Sequence, residues 1–162
     1  MESRKDNGPF NIFAEAETII EFYDLDPLNV VWHGNYINYF EIGRSALLAK
    51  INYDYNEMAN SGYAWPVVDI SLKYRRPLHF KDRIRIKAIL MEYENCLIIK
   101  YEIIKVQTGE ITTRGVSTQM AFNIEAGDSC FVSPAILIER VEAFIREQRT
   151  EGPQTENNED SV

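Results

Sequence analysis

The chain has 162 residues, of which 45% are hydrophobic, 12% aromatic and 26% charged, and its formal net charge is −8. That length holds one ordinary domain, the composition is globular, and the acidity argues against a non-specific nucleic-acid binder, which needs a basic surplus. The acidity is uneven, because Glu147–Val162 carries five acids against one base while the rest of the chain holds 20 acids and 16 bases. Cys96 and Cys130 form no CxxC pair, and only two histidines accompany them. The usual zinc spacings are therefore absent, and neither a metal nor a cofactor is expected. No window approaches the ~18 apolar residues of a membrane span. The first ten residues, MESRKDNGPF, lack the apolar core of a signal peptide. A cytoplasmic protein with reduced thiols is the expectation.

Residues 1–15 are polar, contain Gly8-Pro9, and read as a flexible lead-in. Residues 17–24, ETIIEFYD, alternate as a strand. Asp24 to Asn29 brings Asp, Pro and Asn together as turn chemistry, and Pro27 disfavours a helical backbone at Asp26. From Asn35 to Ile51 no proline intervenes. Apolar residues cover most sides of that segment, which predicts a buried helix, with Glu41 and Arg44 spaced to pair. Four strands follow. Val68 to Tyr74 alternates and is ended by Pro77; Ile84 to Leu90 alternates with Arg83, Arg85 and Lys87. Leu97 to Val106 is rich in β-branched and aromatic residues; Gln107-Thr108-Gly109-Glu110 reads as a hairpin turn, and Val116 to Ile124 alternates as the last long strand. Short connections imply antiparallel pairing.

Ser133-Pro134 reads as an N-cap followed by proline at the first helical position, with Leu137, Val141 and Phe144 on one stripe. Residues 149–162 read as an acidic, disordered tail, which leaves 16–148 as the domain. The element order predicts an α+β domain in which a curved antiparallel sheet wraps a long helix. Its sheet edges need cover, and a homodimer or homotetramer supplies it.

The densest cluster of polar residues in an apolar setting is DLDPLNVVWHGNY, Asp24 to Tyr36. Asp26 precedes the apolar run Val30-Val31-Trp32, and His33, Gly34 and Asn35 fall where the buried helix begins. A helix start offers free N–H groups and a positive dipole end, which stabilise a carbonyl oxygen as it becomes anionic. Gly34 would let a ligand approach the backbone. A carboxylate beside apolar side chains is partly desolvated and so more basic and nucleophilic. Together these form the minimal kit for hydrolysing an activated acyl group. Structural roles stand beside this: Asp26 as a turn residue, Asn35 as a helix cap, His33 as a hydrogen-bonder, and Trp32 and Tyr36 as core. His79 reads as structural, and no GxSxG, HExxH, P-loop or GxGxxG occurs.

One charge pattern stands out. From Lys73 to Lys87 there are seven bases against the single acid Asp82. This is either a solvated sheet face or a basic patch for a phosphorylated or acidic ligand, with Arg83 and Arg85 as its candidate contacts.

The stretch YDLDPLNVVWHGNYINYFEIGR, Tyr23 to Arg44, resembles the signature of the 4-hydroxybenzoyl-CoA thioesterase and YbgC-like branch of the hotdog-fold superfamily. Tyr74-Arg75-Arg76-Pro77 followed by Asp82-Arg83-Ile84 is similar to that branch's Tyr-x-x-Pro…Asp strand pair, so the resemblance spans about residues 16–146. It implies a hotdog fold and hydrolysis of an acyl thioester carried on coenzyme A or acyl carrier protein. Asp26 matches the catalytic carboxylate, as nucleophile or general base. The backbone at His33 and Gly34 would take the oxyanion, and the His33 side chain would orient thioester or water. Trp32, Gly34, Asn35 and Tyr36 become substrate-binding candidates, with active sites at a dimer interface. Asn29 departs from the family glycine, but Asn tolerates a left-handed backbone. A non-catalytic acyl-thioester binder and a hotdog dehydratase or hydratase are the alternatives; the second suits the Asp26/His33 order poorly.

Overall fold

The computed structural model describes residues 6–152. In chain order these are β1 (Phe13–Ile19), a 3-10 turn (Phe22–Asp24), α1 (Asn35–Lys50), α2 (Tyr55–Ser61), β2 (Tyr63–Ala64), β3 (Val67–Tyr74), β4 (Arg83–Glu92), β5 (Leu97–Lys105), β6 (Glu110–Gln119), β7 (Phe122–Asn123), β8 (Asp128–Ser129) and α3 (Ala135–Thr150). The main sheet has the order β1-β4-β5-β6-β3 and is antiparallel throughout. A small sheet, β2-β7-β8, stands beside it.

α1 lies on the sheet along β1 and β4 and reaches β5. Phe40 stacks on Tyr101 of β5, with ring centroids 4.4 Å apart and planes 7° from parallel. Gly43 lets the helix settle onto β4, since a Cβ there would stand 2.7 Å from Cγ2 of Ile86. Around this contact Leu47, Leu48, Ile84, Ile86, Ile99 and Ile103 are essentially closed to solvent. β4 buries Ile84, Ile86, Ala88 and Leu90 and alternates them with Arg83, Arg85 and Lys87.

The structure differs from the sequence reading in several places. β1 starts at Phe13, so the last part of the expected lead-in is strand; Ile12 is fully buried, and Lys87 donates to the Asn7 side chain at 2.7 Å. Residues 1–5 of that lead-in lie outside the described residues. α1 is not enclosed on all sides, since Ile37 and Ile42 are 41% and 39% exposed. The sheet of one chain reaches only one side of the helix. α2 and β2 went unpredicted; α2 is too short for a clear period, although Asp54 caps it by accepting from the Glu57 N–H at 3.0 Å.

β6 ends at Gln119, and Phe122 belongs to β7 in the small sheet. The chain leaves the main sheet where Gln119 Nε2 donates to the Trp65 carbonyl at 2.6 Å. Ser133 is not the N-cap of α3; Pro134 occupies that place, and the Ser133 hydroxyl is buried without a partner among the described residues. Leu137 and Val141 are buried as their spacing implies. Of the expected tail, Arg149 and Thr150 complete α3, and residues 153–162 lie outside the described residues.

Gly115 on β6 tests this packing. A Cβ there would collide with the Phe40 ring that Tyr101 holds from the other side. Gly115→Ala should lower unfolding stability by about 1–3 kcal/mol, the usual scale of overpacking, measured by chemical denaturation. Unchanged stability would show that Phe40 can leave its seat.

Candidate active site

The segment from Asp24 to Asn35 is folded back on itself by its own backbone. The Asp24 carbonyl accepts both the Trp32 N–H at 2.9 Å and Asn35 Nδ2 at 2.8 Å. The Asp24 carboxylate accepts the Glu21 N–H at 2.9 Å, which closes the 3-10 turn. Between these anchors Asp26 and Val30 pair through backbone, and Asn29 adopts φ 60°, the left-handed conformation anticipated for it. The Val31 N–H donates to the Leu78 carbonyl at 2.9 Å and fastens the segment to the loop after β3.

This folding brings Asp26, His33 and Tyr36 onto one cleft of about 320 Å³. Val30 and Val31 supply apolar wall, and Tyr74, Arg75, Arg76 and Pro77 form the opposite side. Asp26 is half-buried, and its Oδ1 accepts the Leu28 N–H at 2.8 Å. It is thus a turn residue and a cleft residue at once. Its Oδ2 has no hydrogen-bond partner among the described residues.

The helix start is prepared in the same way. The Trp32 carbonyl accepts the Asn35 N–H at 2.9 Å, which sets the plane of the peptide whose N–H belongs to His33. Among the described residues, the amides of His33 and Gly34 have no acceptor, as the first turn of a helix requires. The His33 carbonyl accepts the Tyr74 hydroxyl at 2.8 Å, so strand β3 also holds the helix start. Tyr36 packs edge-on against Tyr74, with centroids 5.0 Å apart. Burial pushes its phenol up to about 12, with Tyr74 adding to the shift, so the hydroxyl stays protonated in the cleft.

Other candidates are placed differently. Gly34 is the N-cap of α1 with ordinary helical φ, and its lack of a side chain makes room for the Trp32 ring rather than for a ligand. Trp32 is 50% exposed, sits beside His33 and is not core. Asn35 is the first helical residue and ties Asp24 instead of capping the helix. Arg83 and Arg85 lie on β4 outside the cleft, paired with Glu17 at 3.2 Å and Glu15 at 3.6 Å on β1. Their charge is met within the sheet. His79 gives its N–H to Asp82 in the β3–β4 loop and plays a structural part. The polar cleft residues missing from the candidates are Tyr74, Arg75 and Arg76. The signal for them was the Tyr-x-x-Pro segment itself, but only the Tyr74–His33 contact across 41 residues assigns it to the site.

The sequence pattern of the thioesterase-like superfamily matches residues 20–144 of the chain. A putative acyl-CoA thioesterase of Bacillus subtilis, YneP, is 26% identical over 113 residues, covering 70% of this chain and 82% of the relative. The chloroplastic acyl-acyl carrier protein thioesterase ATL3 of Arabidopsis thaliana is 34% identical over 76 residues, covering 47% of this chain and 40% of the relative. Among solved structures, a DHNA-CoA thioesterase from Staphylococcus aureus superposes with a TM-score of 0.72 at 20% identity, covering 88% of this chain and 96% of that one. That likeness shows the same fold, an α+β hotdog.

Asn29 gives a direct test of how the Asp26 turn is held. Asn29→Gly should leave stability within about 0.5 kcal/mol, whereas Asn29→Val should cost about 1–2 kcal/mol because a β-branched residue resists positive φ. Thermal unfolding with both variants checks the difference. Equal stability of the two would show that the turn does not need its left-handed residue.

Proposed function

The chain belongs to the thioesterase-like superfamily and its reaction is thioester hydrolysis; we propose that the substrate is an acyl group carried on coenzyme A or on an acyl carrier protein, with Asp26 as the reacting carboxylate. One observation carries the residue assignment: Asp26, with one carboxylate oxygen held by Leu28 and the other free, shares a cleft with the start of α1. The names of YneP and ATL3 support the two carriers.

In the proposed mechanism the thioester carbonyl oxygen lies toward the unpaired His33 N–H, where the helix start stabilises developing negative charge. As nucleophile, the Asp26 carboxylate attacks the carbonyl carbon, the C–S bond breaks, and the thiolate leaves and takes a proton. Water then opens the resulting anhydride. As general base, Asp26 instead takes a proton from water as that water attacks the same carbon, and the proton passes to the thiolate as the C–S bond breaks. Both routes place the oxyanion at one position, so the arrangement serves either. The His33 side chain orients the thioester or water, and Tyr36 borders the same cleft.

A second copy completes the site in this proposal. β3 is an edge strand, and its Val67, Val68 and Tyr74 are 43%, 53% and 51% exposed. Antiparallel self-pairing along that edge would continue the sheet, satisfy its free backbone groups and put the cleft beside the interface. Dimers could pair again into a tetramer. Among the described residues no helix is long and apolar enough to cross a membrane, and Cys96 and Cys130 are unpaired. The free thiols support a reducing, cytoplasmic setting.

Asp26→Asn should reduce kcat by at least ~100-fold, measured as thiol release from a panel of acyl-CoA and acyl carrier protein thioesters. Unchanged turnover would remove Asp26 from the mechanism. His33→Ala should cost less and vary with substrate, because its backbone N–H remains. Val68→Lys should shift the protein toward monomer in sedimentation and lower turnover in parallel; a persistent dimer would exclude β3 as the interface.

A further inference from the structure

Two peptides flank His33, and each is held through its carbonyl. The one before it is fixed where the Trp32 carbonyl accepts the Asn35 N–H at 2.9 Å. The one after it is fixed where the His33 carbonyl accepts the Tyr74 hydroxyl at 2.8 Å. The first bond is local and comes with the turn into α1. The second spans 41 residues and comes from the last residue of β3. The His33 carbonyl lies outside the ladder of α1, which begins at Asn35, and no backbone N–H among the described residues donates to it. Its hydrogen bond depends on Tyr74.

Tyr74 does not need that bond to hold its own place. Its backbone pairs with Thr113 on β6, and its ring stands edge-on to buried Tyr36 at an interplanar angle of 84°. Strand pairing and ring packing locate the side chain, so the hydroxyl is free to locate something else.

We propose that Tyr74 is a positioning residue for the oxyanion site and acts through the His33 carbonyl. The proposal rests on the reading of the His33 N–H as the oxyanion donor and adds the group that keeps this donor effective. A peptide is planar, so its carbonyl and N–H turn together. The carbonyl of His33 is the neighbour of the oxyanion donor, and its oxygen carries the wrong partial charge for a site that has to hold an anion. Released, it would be free to turn toward the thioester oxygen and oppose the charge developing there. The Tyr74 hydroxyl occupies it and bars that rotation. The same bond fixes the backbone after His33 as Asn35 fixes it before, so the His33 side chain leaves the chain in one direction. A hydrogen bond on a carbonyl also polarises its amide, which makes the Gly34 N–H a better donor. Dipoles held in place before the reaction stabilise the transition state without having to reorganise. An effect that grows with the charge on the oxygen belongs to kcat rather than to KM.

Tyr74→Phe removes the hydroxyl and keeps the ring against Tyr36; Tyr74→Leu removes both. On the thioester panel Tyr74→Phe should lower kcat by about tenfold, short of the ~100-fold or more that follows outright loss of an oxyanion donor. KM should stay within about twofold, and the circular dichroism spectrum should be that of the parent. Tyr74→Leu should lose at least as much. The second readout needs no turnover. The ketone analogue of an acyl-CoA, with a methylene in place of sulfur, is bound to the intact protein and its carbonyl stretch is recorded by infrared difference spectroscopy. Binding to the parent should move the band to lower frequency, and Tyr74→Phe should reverse most of that shift. Parent-like kcat and parent-like carbonyl frequency in Tyr74→Phe, with loss confined to Tyr74→Leu, would reduce Tyr74 to packing and overturn the proposal. A band that does not move on binding to the parent would overturn it as well. Full turnover by Asp26→Asn would instead defeat the role given to the carboxylate, while the ketone band would still decide the role of Tyr74.

Discussion

Phe40 occupies the space that Gly115 leaves open, and the position of every other element near the cleft follows from that fit. The ring lies flat on Tyr101, with Gly115 beneath its edge and Gly43 one turn further along against Ile86. Close-packed interiors admit few alternative arrangements of rigid rings, so α1 has one depth and one angle on the sheet. The helix start is thereby fixed relative to β3. Only then can Tyr74 reach the His33 carbonyl and the loop after β3 accept the Val31 N–H. A site made of a turn, a helix end and a strand end is rigid because a single packing contact sets the geometry of all three.

The Asp26 segment adds a second level of restraint. Its anchor is a main-chain carbonyl, that of Asp24, with two donors from residues 32 and 35. The Trp32 N–H cannot be changed by substitution, but the second donor is the Asn35 side chain, so the loop geometry depends on that residue. The carboxylate of Asp26 then does two jobs with two oxygens, one closing the turn on Leu28 and one facing the cleft. The turn residue and the catalytic candidate, alternatives when read from sequence, are compatible roles of one side chain.

The charge pattern shows how a local sequence feature is redistributed by folding. Seven bases in 15 residues read as one patch. The sheet register sets Arg85 opposite Glu17 and Lys87 opposite Glu15, so β1, some 70 residues away in sequence, neutralises the β4 part of that patch. Cross-strand pairs of opposite charge are an ordinary stabilising device of sheets. What remains is a charge near the cleft, carried by the segment that follows β3.

Much of this architecture was legible in the sequence because it depends on local period and local turn chemistry. Alternation along β3 and β4, the β-branched and aromatic composition of β5, the uninterrupted α1 from Asn35, and the Asp-Pro-Asn turn before it are short-range signals. The joint spacing of the Tyr23–Arg44 motif pointed to the family and to Asp26. Three things required tertiary structure. The end of β6 at Gln119 depends on a hydrogen bond to Trp65 from another element. The one-sided cover of α1 depends on how far a single sheet reaches, which no period encodes. The identity of the cleft cations depends on register, because pairing partners far apart in the chain decide which charges are spent on each other. Sequence alone determined the central helix, the main strands and which carboxylate stands before the helix; the fold decided which charges stay free to meet a ligand, since long-range contacts set that balance.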